Sequence, residues 1–138
     1  MKFNFSIGGA IAAFLLTLLC WVAPAHAANP EQVQKLLQER ICVGCDLSSA
    51  NLRNADLRGV NLTRANLRGA DLRRANLAAA SLRNADLRTA NLTSAKLIAT
   101  DFSGANLKNA DITEARYNEL RLCHTIEPNG KTSNRDCP

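Results

Sequence analysis

A five-residue repeat runs through most of this 138-residue chain and limits the folds that it can adopt. From Cys45 to Glu119 the chain divides into fifteen consecutive pentapeptides, of which Ala65-Asn66-Leu67-Arg68-Gly69 is typical, and residues 120–124 continue the register as a weaker sixteenth. A large residue, usually Leu, occupies the centre of each unit, and a small residue lies two positions earlier. Because no single unit can bury its own apolar pair, the units must be interpreted together.

The spacing of the leucines excludes a helix and favours a coiled, extended chain. At 100° per residue, leucines five positions apart would advance by about 140° each time and would form no fixed stripe on a helix. In an extended chain the small residue and the central Leu lie two apart and share one face. The next unit reaches that face only if the chain turns between units. The repeat therefore predicts a β-solenoid.

This A(D/N)LXX unit resembles the repeat of the pentapeptide repeat protein family, and the resemblance covers the whole run of units that begins at Cys45. The resemblance implies an all-β solenoid, a right-handed quadrilateral β-helix of about four coils. It further implies that the central residues from Leu47 to Leu122, including Tyr117, point inward, and that small residues from Ala50 to Ala115 fill the corners. A narrow interior of this kind accounts for an aromatic content of only 4%.

The N-terminal segment 1–27 has the order of regions that is typical of a secretory signal peptide. Lys2 supplies a positive charge, Ile11 to Ala23 is an almost unbroken apolar run, and Ala25-His26-Ala27 provides small residues for cleavage. The run is short for a membrane span, although an uncleaved anchor is the alternative. We therefore expect an exported protein that has no membrane association after cleavage.

Both ends of a solenoid need covers, and the flanking sequences offer them. Residues 28–44 are predicted to form an N-terminal helical cap, with a helix over 30–41 that begins at a capping Asn29 and Pro30. An apolar stripe at helical spacing would lie over the first coil, with a membrane-surface helix as the alternative. The stripe consists of Val33, Leu36, Leu37 and Ile41. The repeat domain is predicted to span 45–124, and the tail 125–138 is predicted to leave the register and to fold back over the last coil.

Removal of Cys20 with the signal leaves four cysteines, an even number that indicates disulfides in an exported domain. Cys42 and Cys45 could form a redox pair, half of a zinc site or a structural disulfide. In the fold that the resemblance implies, nearly four coils, or about 19 Å, separate Cys45 from Cys123, which is too far for a disulfide or a shared metal ion. The expected pairs are therefore Cys42–Cys45 and Cys123–Cys137, and His124 is interpreted as a lone surface histidine.

In the implied four-sided fold, residues twenty apart form one outward column, and one such column is basic. It contains Arg68, Arg88 and Lys108, and its neighbour begins with Arg53 and Arg73. With a net charge of +5 on the chain, this basic corner could bind an anionic polymer. Neutralisation by aspartates on the same two faces is the structural alternative.

A third face carries small and apolar residues at outward positions, namely Ala78, Ala79, Ile98 and Ala99. An exposed apolar patch on a polar tower is a candidate contact surface, whereas chance placement of small residues is the alternative.

No catalytic set of residues, phosphate-binding loop or metal-ligand cluster is evident, so we predict a non-enzymatic scaffold or protein-interaction module without cofactor or metal. The expected location is the periplasm or the thylakoid lumen, as the resemblance to small secreted, cyanobacterial-type family members implies. The expected partner is a protein rather than a nucleic acid, and the expected state is a monomer or weak dimer. The alternatives are an exported thiol-disulfide oxidoreductase that uses Cys42 and Cys45, and an anionic-polymer binder.

Overall fold

The computed structural model describes residues 29–138, so the predicted signal peptide, 1–27, lies outside the described residues. The chain order is helix α1 (Pro30–Glu39), a long repetitive region, and then strands β1 (Thr125–Ile126) and β2 (Thr132–Ser133), which pair antiparallel. Regular strands within the described residues are limited to this hairpin. In the repetitive region the pairing takes the form of single-residue parallel bridges, because a turn interrupts each extended segment.

The bridges join residues that lie one coil apart in the chain. Asp46 bridges Asn66, which bridges Asp86, which bridges Asn106, so each step along the column passes over four pentapeptides. The backbone N–H of Leu67 donates to the Asp86 carbonyl at 2.7 Å, and the other central residues from Leu47 to Leu107 donate to the coil that follows in the same way. The four-sided arrangement implied by the family resemblance is therefore present.

Each unit ends in a tight turn, because the residue two positions after the central one adopts a positive φ. Asn54 has a φ of 59°, and the Ala55 N–H donates to the Leu52 carbonyl at 3.1 Å to close the turn. Asn and Gly tolerate this conformation best, which explains their frequency at this position. Thr89, with a φ of 58°, adopts the same geometry in spite of its branched side chain. The ladder therefore imposes the turn even where the local sequence does not favour it.

The interior consists of stacked central residues and small corner residues. The central leucines from Leu47 to Leu97 are each no more than 2% exposed, and Phe102, at 1%, continues one of their columns. Thr100, a polar residue in a corner position, is fully buried, and its hydroxyl donates to the Leu77 carbonyl at 2.9 Å. This bond removes the cost of burying the hydroxyl.

The bridge ladder extends beyond the predicted repeat at both ends. Ile41 bridges Asn61, and Cys42 occupies a central inward position at 1% exposure, so the first coil begins before Cys45. At the other end Asn106 bridges Ile126, so the register continues past residue 124 into the region predicted to leave it. The repeat continues here without its consensus residues because the adjacent coil supplies the backbone partners.

The N-terminal cap is a shorter helix than expected, and it covers the coil with the buried Leu36 and the partly buried Val33 rather than with the full stripe. The helix ends at Glu39, and Arg40 takes a left-handed conformation, so Ile41 is not helical. Leu36 is fully buried, but Leu37 and Ile41 are 42% and 55% exposed, contrary to the predicted stripe. Because Ile41 already belongs to the ladder, its side chain points outward from the first coil.

Polar side chains of the cap satisfy the unpaired backbone of the first coil. Gln32 Oε1 accepts from the Asp46 N–H at 2.6 Å. The Arg40 guanidinium donates to the carbonyls of Asp56 and Arg58. These bonds cover an edge that would otherwise be open to pairing with another chain.

The C-terminal end is less completely covered. Tyr117, which was predicted to point inward, is 62% exposed, because the unit around it lies in the last coil with no coil packed against it. A cavity of about 290 Å³ opens there, with the inner residues Leu107, Ile112 and Leu122 in its wall and the tail residue Arg135 at its rim. The tail therefore folds back over only part of the last coil.

Candidate functional site

The outward side chains are held in place by a repeated local hydrogen bond. The Asp or Asn before the central residue accepts, through its side-chain oxygen, from the backbone N–H two positions later, as Asp86 does from Arg88 at 3.1 Å. Asn66 does the same with Arg68 at 3.2 Å. These acidic and amide side chains have a structural role in the turn. The residue after the central one is thereby fixed on an outer face of the tower.

In all three units that read Asp-Leu-Arg, the arginine also folds back onto the aspartate. Arg58 donates to both carboxylate oxygens of Asp56, at 2.8 and 2.7 Å, and Arg88 pairs with Asp86 at 2.6 Å in the same way. The hydrogen bond from the Arg58 side chain, aided by the Arg58 N–H, lowers the pKa of Asp56 to about 2. The hydrogen bond from the Arg88 side chain likewise lowers the pKa of Asp86.

We expect the protein to lose stability as the pH falls from about 5 towards 2. Asp46, Asp56, Asp86 and Asp111 have pKa values below the ordinary value of 3.8 in the folded chain. The unfolded chain therefore binds more protons in this range, so acid favours unfolding. Urea unfolding at a series of pH values measures the effect. Arg58→Gln should raise the pKa of Asp56 in an NMR titration, and an unchanged pKa would contradict the assignment.

In the structure the predicted basic residues lie close together, but some of them form ion pairs with aspartates and others do not. Arg68, Arg88 and Lys108 do lie in one column, because the bridges stack their units. Arg88 is neutralised by Asp86, and Arg73 in the next column is neutralised by Asp71.

The remaining cations of this corner are Arg53, Arg68 and Lys108, which we call the basic corner. Within residues 29–138 none of the three forms an ion pair. All three are exposed. Asp71 and Asp86, whose pKa values are lowered chiefly by hydrogen bonds from the Arg73 and Arg88 side chains, also attract Arg53 and Arg68. The positive charge of the corner is therefore partly offset and smaller than the sequence suggested.

The predicted apolar face is also assembled by the ladder. Asn76 bridges Lys96, which places Ala78 and Ala79 directly over Ile98 and Ala99, four residues that we call the apolar patch. Ile98 is 45% exposed. A shallow depression of about 390 Å³ adjoins the patch, with Ala79, Ala99 and Glu119 among its lining residues.

Both predicted disulfides are present. Cys42 and Cys45 are bonded with their Cα atoms 5.4 Å apart, and Cys123 and Cys137 with theirs 4.7 Å apart. Cys42 is buried in the core, whereas Cys123 and Cys137 are both half-buried. The phase of the repeat could have predicted the burial of Cys42, because it lies one repeat unit before Leu47.

His124, which was interpreted from the sequence as a lone surface histidine, is exposed and lies beside the Cys123–Cys137 disulfide. Its Nδ1 lies 3.2 Å from the Cys123 Sγ and 4.0 Å from the Cys137 Sγ. These three side chains place their potential ligand atoms within 4.8 Å of one another, but the two sulfurs are bonded to each other. The direct adjacency of His124 to Cys123 in the sequence was the available signal. In the part of the chain that the structure describes, no helix has the length and apolar character needed to cross a membrane.

Comparison with known proteins places the chain in a family. The family described as Pentapeptide repeats matches residues 41–77, 70–109 and 90–125, which together exceed half of the chain. The chain therefore belongs to the pentapeptide repeat family, and its fold is the right-handed quadrilateral β-helix of that family.

Two solved structures illustrate the relationship. A pentapeptide repeat protein from the Arabidopsis thaliana thylakoid lumen is 27% identical with a TM-score of 0.61, and the alignment covers 64% of this chain and 62% of that one. HetL from the cyanobacterium Nostoc, a pentapeptide repeat protein involved in heterocyst differentiation regulation, is 38% identical with a TM-score of 0.47, and the alignment covers 67% of this chain and 40% of that one. The chain thus spans less than two thirds of either protein. No curated protein sequence matches it.

Proposed function

We propose that this protein is a non-enzymatic, exported scaffold of about four coils that binds a protein partner through the apolar patch. The observation that carries the proposal is the exposure of Ile98, at 45%, beside outward alanines and next to the depression that Ala79 and Ala99 help to line. An apolar area with a polar rim is typical of a protein interaction site.

The patch is rigid, which favours binding. The Ala79 N–H donates to the Ile98 carbonyl at 2.8 Å, and the Ala99 N–H donates to the Asn118 carbonyl at 2.8 Å. A surface whose backbone is fixed in advance loses little conformational entropy when a partner binds. Lys96 and Glu119 at its edges offer charges that could orient the partner.

Export to the periplasm or the thylakoid lumen is part of the proposal. Two disulfides in a short domain are typical of an oxidising compartment. The similar Arabidopsis protein is from the thylakoid lumen, which supports the same class of location here. Cleavage after Ala27, predicted from the sequence, would deliver the mature chain to that compartment.

We expect Ile98→Arg to abolish partner binding while leaving the fold intact. A charge in the centre of an apolar contact must be desolvated without a partner, which costs several kcal/mol in a buried interface. Quantitative affinity capture from the exported fraction of the native cells, with wild-type and variant protein compared by mass spectrometry, measures the loss. Thr113→Arg is the matched control, because Thr113 occupies the same position of its unit on another face. Equal recovery of every protein with Ile98→Arg would reject the patch.

A second candidate function, binding of an anionic polymer, rests on the unpaired charges of the basic corner. Replacing Arg53, Arg68 and Lys108 with Glu should abolish retention on a heparin column at low salt, because the attraction is electrostatic. Arg58→Glu, which replaces one exposed arginine outside the basic corner, is the control variant. Unchanged retention of the triple variant would remove this candidate.

The burial of Cys42 does not support the hypothesis that Cys42 and Cys45 form the active site of a thiol oxidoreductase. Cys42 is 1% exposed and occupies a central position of the first coil, so a reacting thiol cannot approach its sulfur without opening the cap. This disulfide fits a structural role.

A further inference from the structure

The two disulfides differ in their surroundings. The Cys123–Cys137 bond borders an open cleft of about 710 Å³, whose wall includes Arg83, Arg121 and Asp136. The Cys42–Cys45 bond lies at the covered end of the tower, with Cys42 in the core. Cys45 is partly buried, as Cys123 and Cys137 are, so the difference lies in Cys42, whose sulfur a soluble thiol cannot reach without opening the cap.

His124 adds a chemical asymmetry to the accessible bond. Its Nδ1 is closer to the Cys123 Sγ, at 3.2 Å, than to the Cys137 Sγ, at 4.0 Å. When its ring is protonated, His124 can donate a hydrogen bond to a thiolate on Cys123. A stabilised thiolate is a better leaving group in thiol–disulfide exchange.

The charged side chains that line the cleft do not cancel the stabilisation of a Cys123 thiolate by His124. Arg83 and Arg121 face it, opposed by Asp101 and Asp136. Arg83 lies 3.9 Å from Asp101, so these two largely offset each other. Arg121 has no ion-pair partner within residues 29–138 and adds positive charge to the cleft.

We propose that Cys123–Cys137 is a thiol–disulfide exchange site, which is reduced by a thiol reductant and uses His124 to stabilise the departing Cys123 thiolate. The reductant thiolate attacks the Cys137 Sγ and forms a mixed disulfide, while the Cys123–Cys137 bond breaks and its electron pair goes to the Cys123 Sγ. A second reductant thiol then cleaves the mixed disulfide. The products are two protein thiols, which take up the two protons, and one oxidised reductant disulfide.

The C-terminal segment allows Cys137 to move away after the bond breaks. In the described chain, residues 134–138 form no backbone hydrogen bond and no ion pair with the tower. Arg135 lines the cavity beside Tyr117, and the disulfide is a covalent attachment of this segment to the tower. The mobility that follows from its loss would separate the two thiols and would oppose immediate closure of the bond.

The test is reduction of the oxidised mature protein by glutathione, followed by alkylation and peptide mass spectrometry. We expect Cys123 and Cys137 to be alkylated at least about ten-fold faster than Cys42 and Cys45, because exchange depends on access and on the leaving thiolate. Equal rates at the two disulfides, or faster reduction of Cys42–Cys45, would overturn the proposal.

The role of His124 is tested by His124→Asn, which suits the left-handed backbone at this position, where φ is 53°. We expect reduction of Cys123–Cys137 to slow by about ten-fold, as loss of a thiolate-stabilising group predicts, with Cys42–Cys45 unaffected. Lys131→Gln, which removes an exposed charge from the loop between strands β1 and β2, is the control and should have no effect. If His124→Asn keeps the wild-type reduction rate and thermal stability, the role of His124 is refuted. Should the Asn variant not fold, His124→Gly serves as the second variant.

Discussion

Leu82→Asp is expected to leave the protein unfolded at room temperature. Leu82 is fully buried at the middle of the tower, and its replacement removes about 2 kcal/mol of apolar burial and leaves a cavity. It also buries a carboxylate with no partner, at a further cost of several kcal/mol. The sum is comparable to the whole stability of a small domain, about 5–15 kcal/mol. Circular dichroism and thermal unfolding measure the result.

The neighbouring residue provides the control for this experiment. Arg83 points outward and is 59% exposed at its side chain, with only a long ion pair to Asp101 at 3.9 Å. Arg83→Ala should therefore change the free energy of unfolding by no more than about 1 kcal/mol. A folded Leu82→Asp variant with a wild-type melting temperature would mean that the central residues do not form the core.

Leu36→Asp is expected to lower the free energy of unfolding by about 3–5 kcal/mol, because it places a charge under the N-terminal cap. Leu36 is the fully buried residue of helix α1. Its loss should also detach Gln32 from the Asp46 N–H, since the helix positions both. Urea unfolding measures the stability, and hydrogen exchange at Asp46 measures the opening of the first coil.

Leu37→Asp is the matched control on the same helix. Leu37 is 42% exposed, so its carboxylate would remain hydrated, and we expect a change below about 1 kcal/mol. Equal effects of the two substitutions would show that the helix does not cover the coil through Leu36. The comparison therefore tests the position of the cap as well as its contribution to stability.

The two ends of the tower differ, and this difference links stability to the proposed chemistry. The N-terminal edge is covered by Leu36, Gln32 and Arg40, with a disulfide whose Cys42 is buried beside them. The C-terminal end has an open cavity, an exposed Tyr117 and an accessible disulfide. We therefore expect reductants to act on the C-terminal end first, while the cap keeps the first coils intact.

The repeat by itself predicted a β-solenoid, and the resemblance to the pentapeptide repeat family implied its four sides, its inward leucines and, through the separation of the coils, the pairing of the cysteines. The prediction failed for units that have no following coil packed against them and for units that depart from the consensus sequence. Tyr117 has the phase of an inward residue but no following coil to enclose it, so it is exposed. Ile41 and Ile126 lack the consensus residues, yet the adjacent coil supplies their bridge partners and includes them in the ladder.

The candidate surfaces were predicted in part, because a period of four pentapeptides determines which residues lie in the same outward column. Which cations are unpaired was not predicted, since Arg88 folds back onto Asp86 whereas Arg68 follows an asparagine that cannot form an ion pair. The sequence alone did contain that distinction, in the choice of Asp or Asn two positions earlier.

The sequence by itself determined the periodic part of this protein, because a five-residue repeat with Leu at its centre and a turn in every unit leaves few ways to bury its apolar face. Only the tertiary structure decided the aperiodic parts. How each end of the tower is covered determines three features. These are the burial of Cys42, the exposure of Tyr117 and the short distance from His124 to Cys123. Those contacts join residues whose spacing carries no repeating signal, so their distances follow from packing alone.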